Sequence, residues 1–584
     1  MAVIVGLVGG CATAPQPITK IVNGRIVETR AVSPEAYEHV ARGYLYEEED
    51  RWQDAAAELQ RALPFDPDAA EVRAELAELF IRLGRRDDAA DEIARSLASM
   101  PTVEGYLAEA HLAEARSEEP SAKPAKDPIP SLEQAARLAL ADEDAEQIET
   151  THLELCDVQI GTLDLSAALE TVRRLVHAAP ETQRGRVQLA ALAWTMDARD
   201  ESATALTAAL DDEPADVEAR VLLAELQAAG GHDKEAKTSF AEAIDRADAP
   251  LEIAIAFAGW QVLRGELGEA QELADRLNAD VPDVDALEQA AALERTVKRP
   301  ERALAFAERA RKLGAGPGRV AIMIAAALAE KDDQAGALKS YRGVAKSDPL
   351  YFEAGLRLAE LLRDKGKLEE AQQALEAIAG SASDSPHKIE LAFARSQLEE
   401  KRGDAARAAH VLDDALAEKL GDGQLENRLI LERAAVDDRR GDWQRAISRA
   451  AEILAREPRN VEALNFAGFV AADHAQDLPR AIKRLQAAMA LSPGTGGIVD
   501  SLGWAYFRSG DLARADSFLE QAGRLEPADP EILGHLGDLY AQRHEHDRAL
   551  ATYKRALTLS PSDRIARELG ERIRTLDAKS AAGR

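Results

Sequence analysis

The chain has 584 residues, 46% of them hydrophobic but only 4% aromatic, and Ala and Leu dominate the apolar share. That balance favours thin layers of closely packed helices over the large globular cores that length alone would suggest. With 72 basic against 104 acidic residues the formal net charge is −32, which sets the surface against a phosphate backbone, so nucleic acid is not expected as a partner; two cysteines, Cys11 and Cys156, exclude a disulfide framework.

The chain opens MAVIVGLVGGCATAPQ, and residues 1–10 read as a signal segment: a short apolar run ending in small residues, too short to span a bilayer. Val8-Gly9-Gly10-Cys11 resembles the lipobox of bacterial lipoproteins, in which the cysteine becomes the lipidated first residue. In that family a residue other than Asp after the cysteine, here Ala12, implies an address on the outer membrane. No Lys or Arg lies between Met1 and Cys11, which departs from the pattern. Either translation starts upstream, or the cysteine is accidental and the chain is cytoplasmic. Residues 11–35 then form a lipidated tether, with Asn23-Gly24 as the turn of a possible short hairpin.

From residue 36 one small residue recurs. Ala55, Ala89, Ala135, Ala168, Ser202, Ala236, Ala270, Ala303, Ala337, Ala371, Ala408, Ala446, Ala481, Ala515 and Ala549 stand mostly 33 to 35 residues apart. Proline follows twelve residues later in most units, from Pro67 to Pro561, where it closes a helix. A second small residue stands twelve before, as in Gly43, Ala77, Gly503 and Gly537. Small residues at these places let two helices cross closely, so each unit is a helix, a turn and a helix.

These residues resemble the tetratricopeptide repeat family. The unit Gly496 to Pro527 carries its signature as Gly503, Tyr506, Gly510, Ala515, Leu519, Ala522 and Pro527; Pro530 to Pro561 matches nearly as well. In the middle units Gln159, Gln227, Gln261 and Asp437 replace the usual Tyr. The expected fold is all-α: a right-handed superhelical solenoid of about 15 tetratricopeptide-like repeats over residues 36–561. A proline-rich insertion at 117–131 reads as a projecting loop, the ladder steps widen near 380–388 and 419–423, and residues 562–584 read as a capping helix and tail.

Catalytic chemistry finds few candidates. His544-Glu545-His546 falls in a turn without the i, i+4 spacing of a metalloprotease helix, and GAGPGR at 314–319 has no preceding strand. Cys156 stands at a small-residue place and reads as core. No enzyme activity, cofactor or metal is expected.

The resemblance implies that first helices line a concave face where partner proteins lie. Carried onto the last three units, that face presents Asn465, Phe469 and Asp473, then Asp500, Trp504 and Arg508, then His535, Asp538 and Gln542. Two readings of Trp504 are open: an exposed binding anchor, or an indole packed against a neighbouring helix. No full-length unit carries the Asn needed to clamp the acidic C-termini of chaperones. The lipobox and the terminal repeats together resemble long proteobacterial outer-membrane lipoproteins, some of which are adaptors of a carboxyl-terminal processing protease acting on cell-wall hydrolases. The expectation is a protein-binding scaffold facing the periplasm, anchored only by lipid, with a periplasmic protease or envelope-complex subunits as partner. The alternative is an assembly factor for a secretion, pilus or outer-membrane complex.

Overall fold

A computed structural model describes residues 18–22, 25–29, 33–117, 126–278, 281–418, 421–559 and 561–582. Among them are 31 helices, fifteen successive pairs and a final single helix, which together form an all-α repeat solenoid. The expected lipidation site Cys11, the signal segment 1–10 and the Asn23-Gly24 turn lie outside the described residues. Two short strands, β1 (Ile18–Val22) and β2 (Arg25–Thr29), pair antiparallel with Val22 opposite Arg25 and Ile18 opposite Thr29.

The first helix, α1 (Pro34–Glu48), starts two residues before the expected boundary at 36. Ser33 caps it, its Oγ accepting from the Glu35 amide at 3.2 Å, and Pro34 follows where a missing amide hydrogen costs nothing. Its partner α2 (Trp52–Ala62) and the next helices α3 (Ala70–Arg82), α4 (Arg86–Ser99) and α5 (Val103–Ser117) continue the alternation. The expected loop at 117–131 is shorter at both ends. Ser117 is helical, and the next helix begins at Ile129, with Pro130 tolerated in its first turn; residues 118–125 lie outside the described set.

Every one of the fifteen ladder residues is at most 1% exposed. The cause is the helix crossing inside each pair: a Cβ on Gly503 would come within 2.9 Å of the Leu519 backbone nitrogen, and one on Gly43 within 2.7 Å of Leu59 Cδ2. The wider ladder steps are partly absorbed as helix. Ser385–Lys401 and Gly423–Arg439 run to 17 residues, where Val461–Asp473 and Pro530–Gln542 have 13. In the middle repeats three of the four polar substitutes for Tyr find partners twelve residues on, while the Gln261 Oε1 is buried without one. Thr171 donates to Gln159 at 2.9 Å, Ser239 to Gln227 at 2.8 Å, and Arg449 to Asp437 at 2.9 Å.

The chain forms two compact units, one of residues 1–159 and 166–185, the other of 160–165 and 186–584. In the second unit the first helices of consecutive pairs touch one another, as Val461–Asp473, Gly496–Ser509 and Pro530–Gln542 do, while second helices pack on their own first helix and on the first helix that follows. A two-layer stack whose members lie closer in one layer curves toward that layer, so the first helices form the inner face. Curvature brings the stack back onto itself, and the helix Val217–Gly230 packs against Leu512–Leu525.

Candidate protein-binding surface

On the inner face of the last three pairs the side chains form a continuous network. The Trp504 indole stacks on the His535 ring with centroids 4.2 Å apart, and its Nε1 donates to Asp473 Oδ1 at 3.1 Å. Arg508 reaches the same carboxylate at 3.2 Å and lies over the indole. His535 Nδ1 lies 2.7 Å from Asp500 Oδ2. Burial would lower the His535 pKa, but the Asp500 carboxylate outweighs it and holds the ring above its ordinary value. At the far end Tyr553 donates to Asp538 at 2.6 Å, and Arg572 pairs with the same carboxylate at 3.0 Å.

This geometry divides the residues expected on the face. Asp500, Trp504 and His535 are buried at 5%, 6% and 5% exposure, so they are the base of the surface, and Trp504 packs against neighbouring helices instead of standing free as an anchor. Asp473 and Gln542 are exposed, while Asn465, Phe469, Arg508 and Asp538 are half-buried. The open part of this face is therefore a polar rim on an aromatic floor joined by hydrogen bonds. Cys156 is buried in the first unit, and among the described residues no three His, Cys, Asp or Glu side chains group to hold a metal. No described helix is long and apolar enough to cross a membrane.

Tetratricopeptide repeat models match residues 46–112, 431–494 and 501–564, and a model described as the TT21 fifth ARM repeats domain matches 319–421. Over those three stretches the chain is similar to tetratricopeptide repeats. One similar protein is the TPR repeat-containing protein PA4667 of Pseudomonas aeruginosa, 27% identical over 183 residues. The match covers 31% of this chain and 30% of that protein, so it spans about a third of the relative's length. Among solved structures, a tetratricopeptide repeat protein from Parabacteroides merdae is 17% identical, with 44% of this chain and 98% of that one covered, at a TM-score of 0.35. Yeast Tom70 is 12% identical, with 94% and 96% covered, at a TM-score of 0.32. Neither superposition is close enough to carry an argument about function.

Tetratricopeptide repeats generally mediate protein–protein contact, so the matched stretches suggest a protein-binding scaffold. Two features of the second unit escape reading by repeat position. Trp260 and Arg524, both at the self-contact of the stack, are joined by a hydrogen bond. Glu225, beside Gly494, has its carboxyl pushed up to about 7 by burial. Neither has a sequence signal, because both depend on where the curve returns.

Proposed function

We propose that this scaffold is a lipid-anchored adaptor of the bacterial outer membrane, joined through Cys11 and facing the periplasm, that recruits a carboxyl-terminal processing protease and presents cell-wall hydrolases to it. The observation that carries the binding part is the run of touching first helices in the second unit, where the polar groups Asp473 and Arg508 stand at the Trp504–His535 stack and Gln542 is exposed. The anchor rests on Val8-Gly9-Gly10-Cys11. A solenoid fixed by its amino-terminal end holds an extended face away from the bilayer, and two proteins bound on one face meet at raised effective concentration.

Fractionation of cells expressing the chain and a Cys11→Ser variant tests the anchor: the first should sediment with outer membrane and the second should not. Affinity capture from membranes followed by mass spectrometry tests the partner. Recovery of a periplasmic protease or cell-wall hydrolase supports the reading, whereas barrel or secretin subunits in their place would favour an assembly factor.

A further inference from the structure

The first helix of the solenoid shows an apolar stripe. On α1 the exposed positions Tyr37, Ala41, Tyr44 and Leu45 follow the i, i+4, i+7, i+8 spacing of one helix face, with Tyr37 56%, Tyr44 48% and Leu45 52% exposed. Repeat position explains why this is unusual. Leu45 stands two residues after the small residue of its helix; the equivalents Leu79, Leu293 and Leu539 are each 0% exposed, and Leu226 is 4% exposed. In α3, Leu79 belongs to a core it shares with Ala56 and Leu59 of the preceding α2. A helix ahead of it in the stack is what covers that position. Among the described residues no helix precedes α1, so its stripe keeps the chemistry of a stacking face.

Charge specifies the occupant. Tyr44 lies among Glu47 of its own helix, Glu71 and Glu75 of α3 and Glu104 of α5; burial first, and then these four carboxylates, hold its hydroxyl above the ordinary range. Burial, followed by repulsion from and a hydrogen bond with Glu47, pushes the Glu75 carboxyl up to about 7. The arginines of α1 and α3 are engaged elsewhere: Arg42 pairs with Glu38, Arg73 with Glu92, and Arg82 lies over the Trp52 ring. Glu75 is eased by Arg82 only as the weakest of five influences.

Resting on the protein-binding reading above, we propose that α1 docks a basic amphipathic helix of a partner protein, which takes the place of a preceding solenoid helix. Its apolar side covers Tyr37, Ala41, Tyr44 and Leu45, and its lysines or arginines lie over Glu47, Glu71, Glu75 and Glu104. Apolar burial supplies affinity, while the carboxylates select against acidic helices and fix the orientation.

The test titrates the full chain with a fluorescent 18-residue peptide of leucine and lysine whose leucines repeat at helical spacing, read by anisotropy. A leucine–glutamate peptide of the same pattern is the charge control. Tyr37→Ala/Leu45→Ala and Glu71→Gln/Glu75→Gln should each weaken the basic peptide by about ten-fold or more. Matched changes on the second unit, Leu263→Ala/Leu313→Ala and Glu369→Gln/Asp414→Gln, should leave binding unchanged, and the glutamate peptide should not bind. Helical circular dichroism establishes that each variant is folded. Equal losses from both sets of variants, reflecting diffuse attraction to a chain of charge −32, would overturn the proposal. So would a concentration-dependent dimer abolished by Tyr37→Ala/Leu45→Ala, which assigns the face to a second copy. Membrane partners captured equally by wild type and both α1 variants would sink this docking site while leaving the scaffold reading intact.

Discussion

The indole Nε1 of Trp260 donates to the backbone carbonyl of Arg524 at 3.2 Å, although 264 residues separate them in the chain. Arg524 in turn donates from Nη1 to the Ala229 carbonyl at 3.0 Å. These bonds join distant repeats of the second unit beside the packing of Val217–Gly230 on Leu512–Leu525.

The variant Trp260→Phe keeps an aromatic ring beside Phe257 and Phe240 but removes the donor. It should cost about 1 kcal/mol and widen the distance distribution between spin labels on Val217–Gly230 and Leu512–Leu525. An unchanged distribution would assign the closure to the surrounding helix packing alone.

At the close crossings, Ala515→Leu should destabilise by about 1–3 kcal/mol through overpacking. Repeats contact mainly their neighbours, so hydrogen exchange should rise in residues 496–561 and remain at wild-type levels in the first unit. A uniform rise along the chain would contradict the local character of the stack.

Arg433 and Asp437 form a buried ion pair at 3% and 0% side-chain exposure, with Arg449 a second partner of Asp437 at 2.9 Å. Asp437→Ala removes one of two carboxylate partners of Arg433, the other being Asp413 at 2.8 Å, and should cost about 1–3 kcal/mol, whereas the joint replacement Arg433→Met/Asp437→Leu should come closer to wild type. Denaturant titration of the three proteins compares them directly.

His111 of α5 lies between Glu78 at 2.7 Å and Glu154 at 3.1 Å. Burial disfavours its charge, but hydrogen bonds and attraction from Glu154 and Glu78 outweigh it and raise the pKa from 6.5 to about 10. The folded state therefore keeps a proton that the unfolded chain releases above about pH 6.5. This contribution is fully present below that pH and is lost as pH rises toward 10. His111→Gln should flatten the fall in melting temperature over that window; a slope equal to that of wild type would show that other groups set it.

Much of this was legible in the sequence because it depends on neighbours at a fixed interval. The Ala ladder, the proline stops and the paired helices all follow from a rule that each unit repeats. The rule also placed Trp504 and Asp500 on first helices, but it could not tell rim from floor. That depends on how His535, one repeat further on, stacks over the indole. Leu45 shows a different limit: its repeat position reads as core, yet it is exposed, and among the described residues no helix stands ahead of α1 to cover it. The Trp260–Arg524 bond lay beyond sequence reasoning altogether, since small rotations summed over many repeats decide which helices meet.

On the reading proposed above, partner proteins bind the inner face made by first helices. Photo-crosslinking residues placed at Asp473, Arg508 and Gln542, with controls on second helices at Glu369, Arg514 and Lys554, test it in the full-length chain in cells. Protein adducts should form at the inner positions and few or none at the controls. Adducts from the second-helix positions alone, or none anywhere, would contradict it.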